Sequence, residues 1–160
     1  SFERASGHAT EYDVVDLGYN YRMDDIRASL VLAQLEKLEQ DIRARERVRD
    51  EYISRLNAID ELCIPFVNST EPISHYIFPL VLKEGGSEKR DRVRKSLADD
   101  GIQTSVHYPA VHRFSIYEKS DSHLPQTEWA TDHEITLPMY AALRSEQIDY
   151  ITDCLKKALS

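Results

Sequence analysis

The sequence has little of what builds covalent frameworks and permissive turns: two cysteines, five glycines, two methionines and one tryptophan in 160 residues. Cys63 and Cys154 form no CxxC pair, which excludes a disulfide-rich scaffold and a cysteine-built zinc site. The expectation is two buried thiols in a reducing, cytoplasmic setting, although sequence alone leaves a Cys63–Cys154 disulfide open. No apolar run approaches the roughly 20 residues a membrane helix needs. The opening Ser-Phe-Glu-Arg-Ala-Ser carries no apolar signal core and no initiating Met, so a piece of a longer chain is expected. Basic charge is also short: Lys+Arg 20 against Asp+Glu 28 gives a net −8, interspersed and without a basic stripe. Neither nucleic acid nor a membrane is therefore expected as a partner. GxGxxG, P-loop, GxSxG and HExxH motifs are all missing.

What is present is the pattern of one folded α+β domain. Hydrophobic residues make up 41% of the chain, with nine tyrosines, enough for a sizeable core. Residues 24–57 contain no Gly or Pro, and Ile26, Leu30, Ala33, Leu38 and Ile42 fall near one helical face. Asp24 is placed to cap this helix, and Glu39/Arg43 and Asp41/Arg45 are i,i+4 pairs. Its apolar front and charged back predict a strut buried at the front and solvated at the back. Leu62–Val67 reads as a short edge strand, because Pro65 cannot donate to a central ladder. Residues 76–82 and 102–106 read as further strands. Ser87 is expected to cap a helix that runs to about Asp100 and ends at Gly101. A loop-rich stretch from Tyr108 to Pro125 precedes a short helix over 127–133 and a brief strand over 135–137. Ser145 is expected to cap a last helix lined by Ile148, Ile151, Leu155 and Leu159. A small, mostly antiparallel sheet covered by helices is the expected architecture.

Two loops concentrate chemistry. In Gly18-Tyr19-Asn20-Tyr21-Arg22-Met23, Asn20 offers a donor and an acceptor and Arg22 a guanidinium suited to carboxylate or phosphate. The alternative is an ordered turn before the helix, with Arg22 paired to Asp16 or Asp25. In His107-Tyr108-Pro109-Ala110-Val111-His112, the histidine spacing raises metal binding. Pro109 argues against the helical presentation that such a site needs, and no third ligand is evident. An ordinary pair of half-buried histidines is the plain alternative. His75 is expected to pack at a strand start, and His8, His123 and His133 need no role.

The order and spacing of these landmarks, together with Asp25-Ile26-Arg27-Ala28, Leu32-Ala33-Gln34-Leu35, Gly101-Ile102-Gln103-Thr104 and Leu137-Pro138-Met139-Tyr140, resemble the C-terminal part of the DegT/DnrJ/EryC1/StrS family of sugar aminotransferases. The resemblance implies the small C-terminal domain of a fold-type I enzyme dependent on pyridoxal 5'-phosphate (PLP). Residues 1–23 would be a strap left from the PLP-binding domain, and 24–160 the small domain. It implies a homodimer with a shared active site and amino transfer from glutamate or glutamine to a nucleotide-linked ketosugar. Asn20 would reach the PLP phosphate of the neighbouring subunit, Arg22 would stand at the substrate mouth, and His107, Tyr108 and His112 would line the sugar side. The family's Schiff-base lysine has no counterpart among Lys37, Lys83, Lys89, Lys95, Lys119, Lys156 and Lys157. This chain alone is accordingly expected to bind no PLP and to be inactive. A stand-alone interaction or regulatory module that keeps the family's dimer surface is the rival expectation.

Overall fold

The structure, a computed structural model of the chain, describes residues 19, 21–69, 71–117 and 122–160. It divides into two compact units, Ser1–Glu36 and Lys37–Ser160. Helix α1 (Asp25–Leu56) starts in the first and ends in the second.

In the first unit the described residues are mainly the opening turns of α1. Asp24 caps it as expected: the Arg27 amide donates to Asp24 Oδ1 at 2.8 Å. Ile26, Leu30, Leu32 and Leu35 are exposed.

The second unit holds the core. Strands β1 (Leu62–Cys63), β2 (Phe78–Leu82) and β3 (Glu134–Leu137) form an antiparallel sheet in that order. Helices α2 (Gly86–Asp99), α3 (Pro125–His133) and α4 (Ser145–Leu159) complete it, with 3-10 turns at Val111–Arg113 and Ser115–Tyr117. The α+β expectation holds. Along β2, Phe78, Leu80 and Leu82 are buried while Pro79 and Val81 are half-buried. Their core face meets Val48, Tyr52 and Leu56 of α1, Val93 and Leu97 of α2, and Ile148, Ile151 and Leu155 of α4.

Several expectations need correction. It is the charged back half of α1, not its apolar front, that is buried. Val48, Tyr52 and Leu56, at a spacing of four, are the helix residues buried in the core, and Ile53 packs against it. The arginines around them donate to rim carbonyls: Arg45 Nε to Ser74 (3.1 Å), Arg47 Nη2 to Leu143 (2.9 Å) and Arg49 Nη2 to Val67 (3.0 Å). The strand predicted over 62–67 stops after Cys63. The one predicted over 76–82 starts at Phe78. Residues 102–106 contribute only a bridge, Ser105 to Thr136. Cys63 is exposed rather than buried, Cys154 is half-buried, and both are free.

The two serine caps are also replaced. Helix α2 begins at Gly86, whose amide donates to His133 Nε2 at 3.1 Å, so a histidine from α3 satisfies the first turn. That ring also stacks on Trp129 with centroids 4.7 Å apart. Helix α4 is capped by Arg144, whose amide donates to Gln147 Oε1 (3.1 Å). Ser145 instead donates its hydroxyl to Glu51 Oε2 at 2.6 Å, tying α4 to α1. Arg55 Nε on Asp149 Oδ1 (2.6 Å) adds a second tie.

Pro79 in the central strand is accommodated by register. Thr136, its partner on β3, exchanges both backbone hydrogen bonds with Ser105, at 3.2 and 2.8 Å. Pro79 and Thr136 are therefore a non-hydrogen-bonded pair, and the missing Pro79 donor faces the side where β1 has already ended.

Tyr52 stacks on Phe78 at 4.7 Å and donates its hydroxyl to the Pro138 carbonyl at 2.9 Å. Burial pushes its phenol well above the ordinary value near 10. The neutral form is favoured by folding, so this contribution is complete below about pH 10 and is lost as pH rises through the raised value. Tyr52→Phe should cost about 1 kcal/mol at neutral pH and flatten the alkaline fall in stability. Tyr52→Ala should cost about 3–5 kcal/mol. Urea denaturation at neutral and alkaline pH reads both.

Candidate functional site

Helix α2 ends in a Schellman turn. Gly101, at φ +76°, donates to the Ala98 carbonyl (2.9 Å), and Ile102 donates to Leu97 (2.8 Å). Glycine meets the positive φ without Cβ strain. Ile102 then enters the core while Gln103, Thr104 and Ser105 run beside β3. These residues, His107, the Thr136–Tyr140 segment, Tyr76, and Gln147, Tyr150 and Ile151 of α4 line an open cavity of about 740 Å³.

β3 supplies two faces. Ile135 and Leu137 join the core, whereas Glu134 and Thr136, also buried, reach the His107 segment. Glu134 Oε2 accepts the His107 amide at 2.9 Å, and Oε1 accepts the Thr136 hydroxyl. His107 Nδ1 lies 3.0 Å from Thr136 Oγ1 and 3.2 Å from Ser105 Oγ. The His107–Tyr108 peptide is cis, and the two rings meet edge-on at 4.9 Å. Tyr108 is exposed, its hydroxyl 3.4 Å from that of Tyr76. This contact raises the Tyr76 phenol above its usual value.

His112, in the first 3-10 turn, points elsewhere. Its Nε2 is 3.0 Å from Glu128 Oε1, which also accepts the Leu124 amide at 3.1 Å. The Leu124 amide first, then His112, hold the Glu128 carboxyl below the ordinary range. Tyr108, Pro109, Val111, His112, Tyr117 and Leu124 line a second, more apolar cavity of about 450 Å³.

The sequence-predicted residues thus divide. His107 lies on the large cavity, and Tyr108 and His112 on the second. Arg22 sits in the exposed stretch before α1, and Asn20 lies outside the described residues. Among the described residues no group of three or more His, Cys, Asp and Glu is placed to hold a metal. Ser105, Glu134 and Thr136 escape a motif search. The signal that could have found them is the polar–apolar alternation Glu134-Ile135-Thr136-Leu137, whose polar members need partners once buried.

A sequence profile of the DegT/DnrJ/EryC1/StrS aminotransferase family matches residues 2–156, and the chain belongs to this family. It is 28% identical over 149 residues to GDP-perosamine synthase of Escherichia coli O157:H7, covering 93% of this chain and 39% of that protein. It is 25% identical over 145 residues to the UDP-4-amino-4,6-dideoxy-N-acetyl-beta-L-altrosamine transaminase of Campylobacter jejuni, covering 89% and 39%. Spr1654 of Streptococcus pneumoniae, solved in its PMP form, superposes with a TM-score of 0.81 at 27% identity, covering 99% of this chain and 41% of that one. The chain spans about 40% of the length of these relatives.

The family is PLP-dependent. The large cavity does not itself fit PLP. Its phosphate and aldehyde call for a cation or clustered donors and a lysine, yet neither Lys nor Arg lines the large cavity, which carries Glu146 instead. Lys89 is paired with Glu61 at 2.7 Å and Lys156 with Asp153 at 3.3 Å. Hydroxyls, amides and one imidazole suit a polyhydroxylated, largely neutral group better.

Because the Glu128 carboxyl is held low, its contacts are complete above the ordinary carboxylate range and are lost as pH falls through the lowered value. Glu128→Ala should therefore free the His112 ring and speed exchange of the Leu124 amide at neutral pH, with β2 and β3 amides unchanged. Hydrogen-exchange NMR of wild type, followed downward in pH, should show the same loss at Leu124.

Proposed function

We propose that this chain is the C-terminal part of a PLP-dependent aminotransferase that moves an amino group from glutamate or glutamine to a nucleotide-linked ketosugar. The observation that carries the reading is convergence. Gly101–Thr104, His107 and Leu137–Tyr140, far apart in sequence, close on one cavity of about 740 Å³. The names of the relatives, a GDP-perosamine synthase and a UDP-amino-sugar transaminase, favour a nucleotide sugar as substrate.

In this reading His107 meets the sugar from the large cavity, and Tyr108 and His112 line an adjoining substrate wall. Arg22 supplies the cation for a diphosphate or for the donor carboxylate. Asn20 donates to the PLP phosphate of the partner subunit in a cytoplasmic homodimer. Residues 1–23 are the strap from the PLP-binding domain, and 24–160 the small domain. PLP, when bound, supplies the electron sink. The lysine that carries it lies outside this chain, so the 160 residues alone are inactive.

PLP titration followed by absorbance tests this. The chain alone should give no change, and a mixture with the complementary N-terminal segment should bind. Asn20→Ala should weaken that binding about tenfold, the loss of one hydrogen bond to a charged group. A borohydride-trapped adduct at one lysine of this chain alone would refute the assignment. A stable, defined dimer of the chain with no PLP binding in either sample would favour the stand-alone module.

A further inference from the structure

We infer that Glu134 and Thr136 are positioning residues that fix the tautomer of His107, so that the ring meets its ligand as a hydrogen-bond acceptor at Nε2. The chain of hydrogen bonds leads to this assignment. A carboxylate oxygen only accepts, and Glu134 uses one oxygen for the His107 amide and the other for the Thr136 hydroxyl. The single Thr136 hydroxyl proton is thereby spent. Its oxygen, 3.0 Å from His107 Nδ1, can only accept, so Nδ1 carries the proton. Ser105 Oγ, at 3.2 Å, can share the same proton as a second acceptor. If Ser105 donated to Nδ1 instead, the lone pairs of Nδ1 and Thr136 Oγ1 would face each other at 3.0 Å. In the neutral ring Nε2 is then unprotonated, and it takes no partner among the described residues, on a side chain that lines the large cavity.

The burial of the two positioning residues makes the arrangement durable. Glu134 is 7% and Thr136 4% exposed, so water is a poor substitute for either partner. What such a ring recognises is a donor: a sugar hydroxyl or an ammonium, not a phosphate or a carbonyl oxygen. This choice of ligand rests on the aminotransferase reading; the tautomer does not, and it is measurable without substrate or PLP.

Long-range 1H–15N correlation NMR of the imidazole rings, at a pH of about 8.5 where an ordinary histidine is neutral, reads the tautomer directly. The His107 signals are those missing from His107→Gln. Wild type and Thr136→Ser should both show the Nδ1–H form. Thr136→Val, which keeps the shape and removes the acceptor, should change the major form to Nε2–H. An Nε2–H ring in wild type would overturn the proposal, whether or not the valine variant folds. So would an unchanged Nδ1–H pattern in folded Thr136→Val.

Discussion

The register of β3 against β2 is the constraint on which the rest depends. With Phe78 opposite Leu137 and Leu80 opposite Ile135, the apolar members of both strands fall on one face and cover the core. The same alternation sends Glu134 and Thr136 to the opposite face, under the His107 segment. A slip of one residue would place a carboxylate in the core and turn Ile135 and Leu137 toward the His107 segment. Core and site are thus two sides of one four-residue strand, and neither can be altered in register without the other.

Residues 45–56 tie α1 to the second unit through a few core side chains and a rim of hydrogen bonds. Tyr52 joins the two sides, its ring on Phe78 and its hydroxyl on the Pro138 carbonyl, next to the cavity wall. Glu51 then links α1 to α4 by accepting the Ser145 hydroxyl, while its other oxygen accepts from Arg47 of its own helix. The Ser145 contact, ahead of Arg47 and Arg55, holds the Glu51 carboxyl below its usual range. These ties hold α4, which supplies Gln147, Tyr150 and Ile151 to the cavity wall.

Much of this was legible in the sequence, and the failures have physical causes. Helices with periodic apolar faces and terminal glycine, such as the one closed by Gly101, were readable because local chemistry sets their ends. The buried half of α1 is not legible, because apolar density points to the core only when something covers it, and arginine reads as solvated even where it reaches rim carbonyls. Residues 102–106 carry strand-like composition, but only Ser105 finds a ladder partner, a fact decided by tertiary geometry. Motif resemblance singled out His107 and Tyr108, which the fold places on two different cavities. Glu134 and Thr136 match no motif, and their alternation with Ile135 and Leu137 spans only four residues, too few to mark a site without the fold. His133, a lone histidine in the sequence, accepts from the first turn of α2 across space.

The two prolines beside β1 also bear on how the molecule meets other chains. β1 pairs only with Val81 and Leu82, so the rest of β2 on that side would otherwise offer an open row of backbone groups. Pro79 places no donor there, and Pro65 prevents the following segment of chain from continuing the ladder. An incoming strand finds a broken template at this edge. The sheet is thereby guarded against edge-to-edge aggregation at the place where its own third strand falls short.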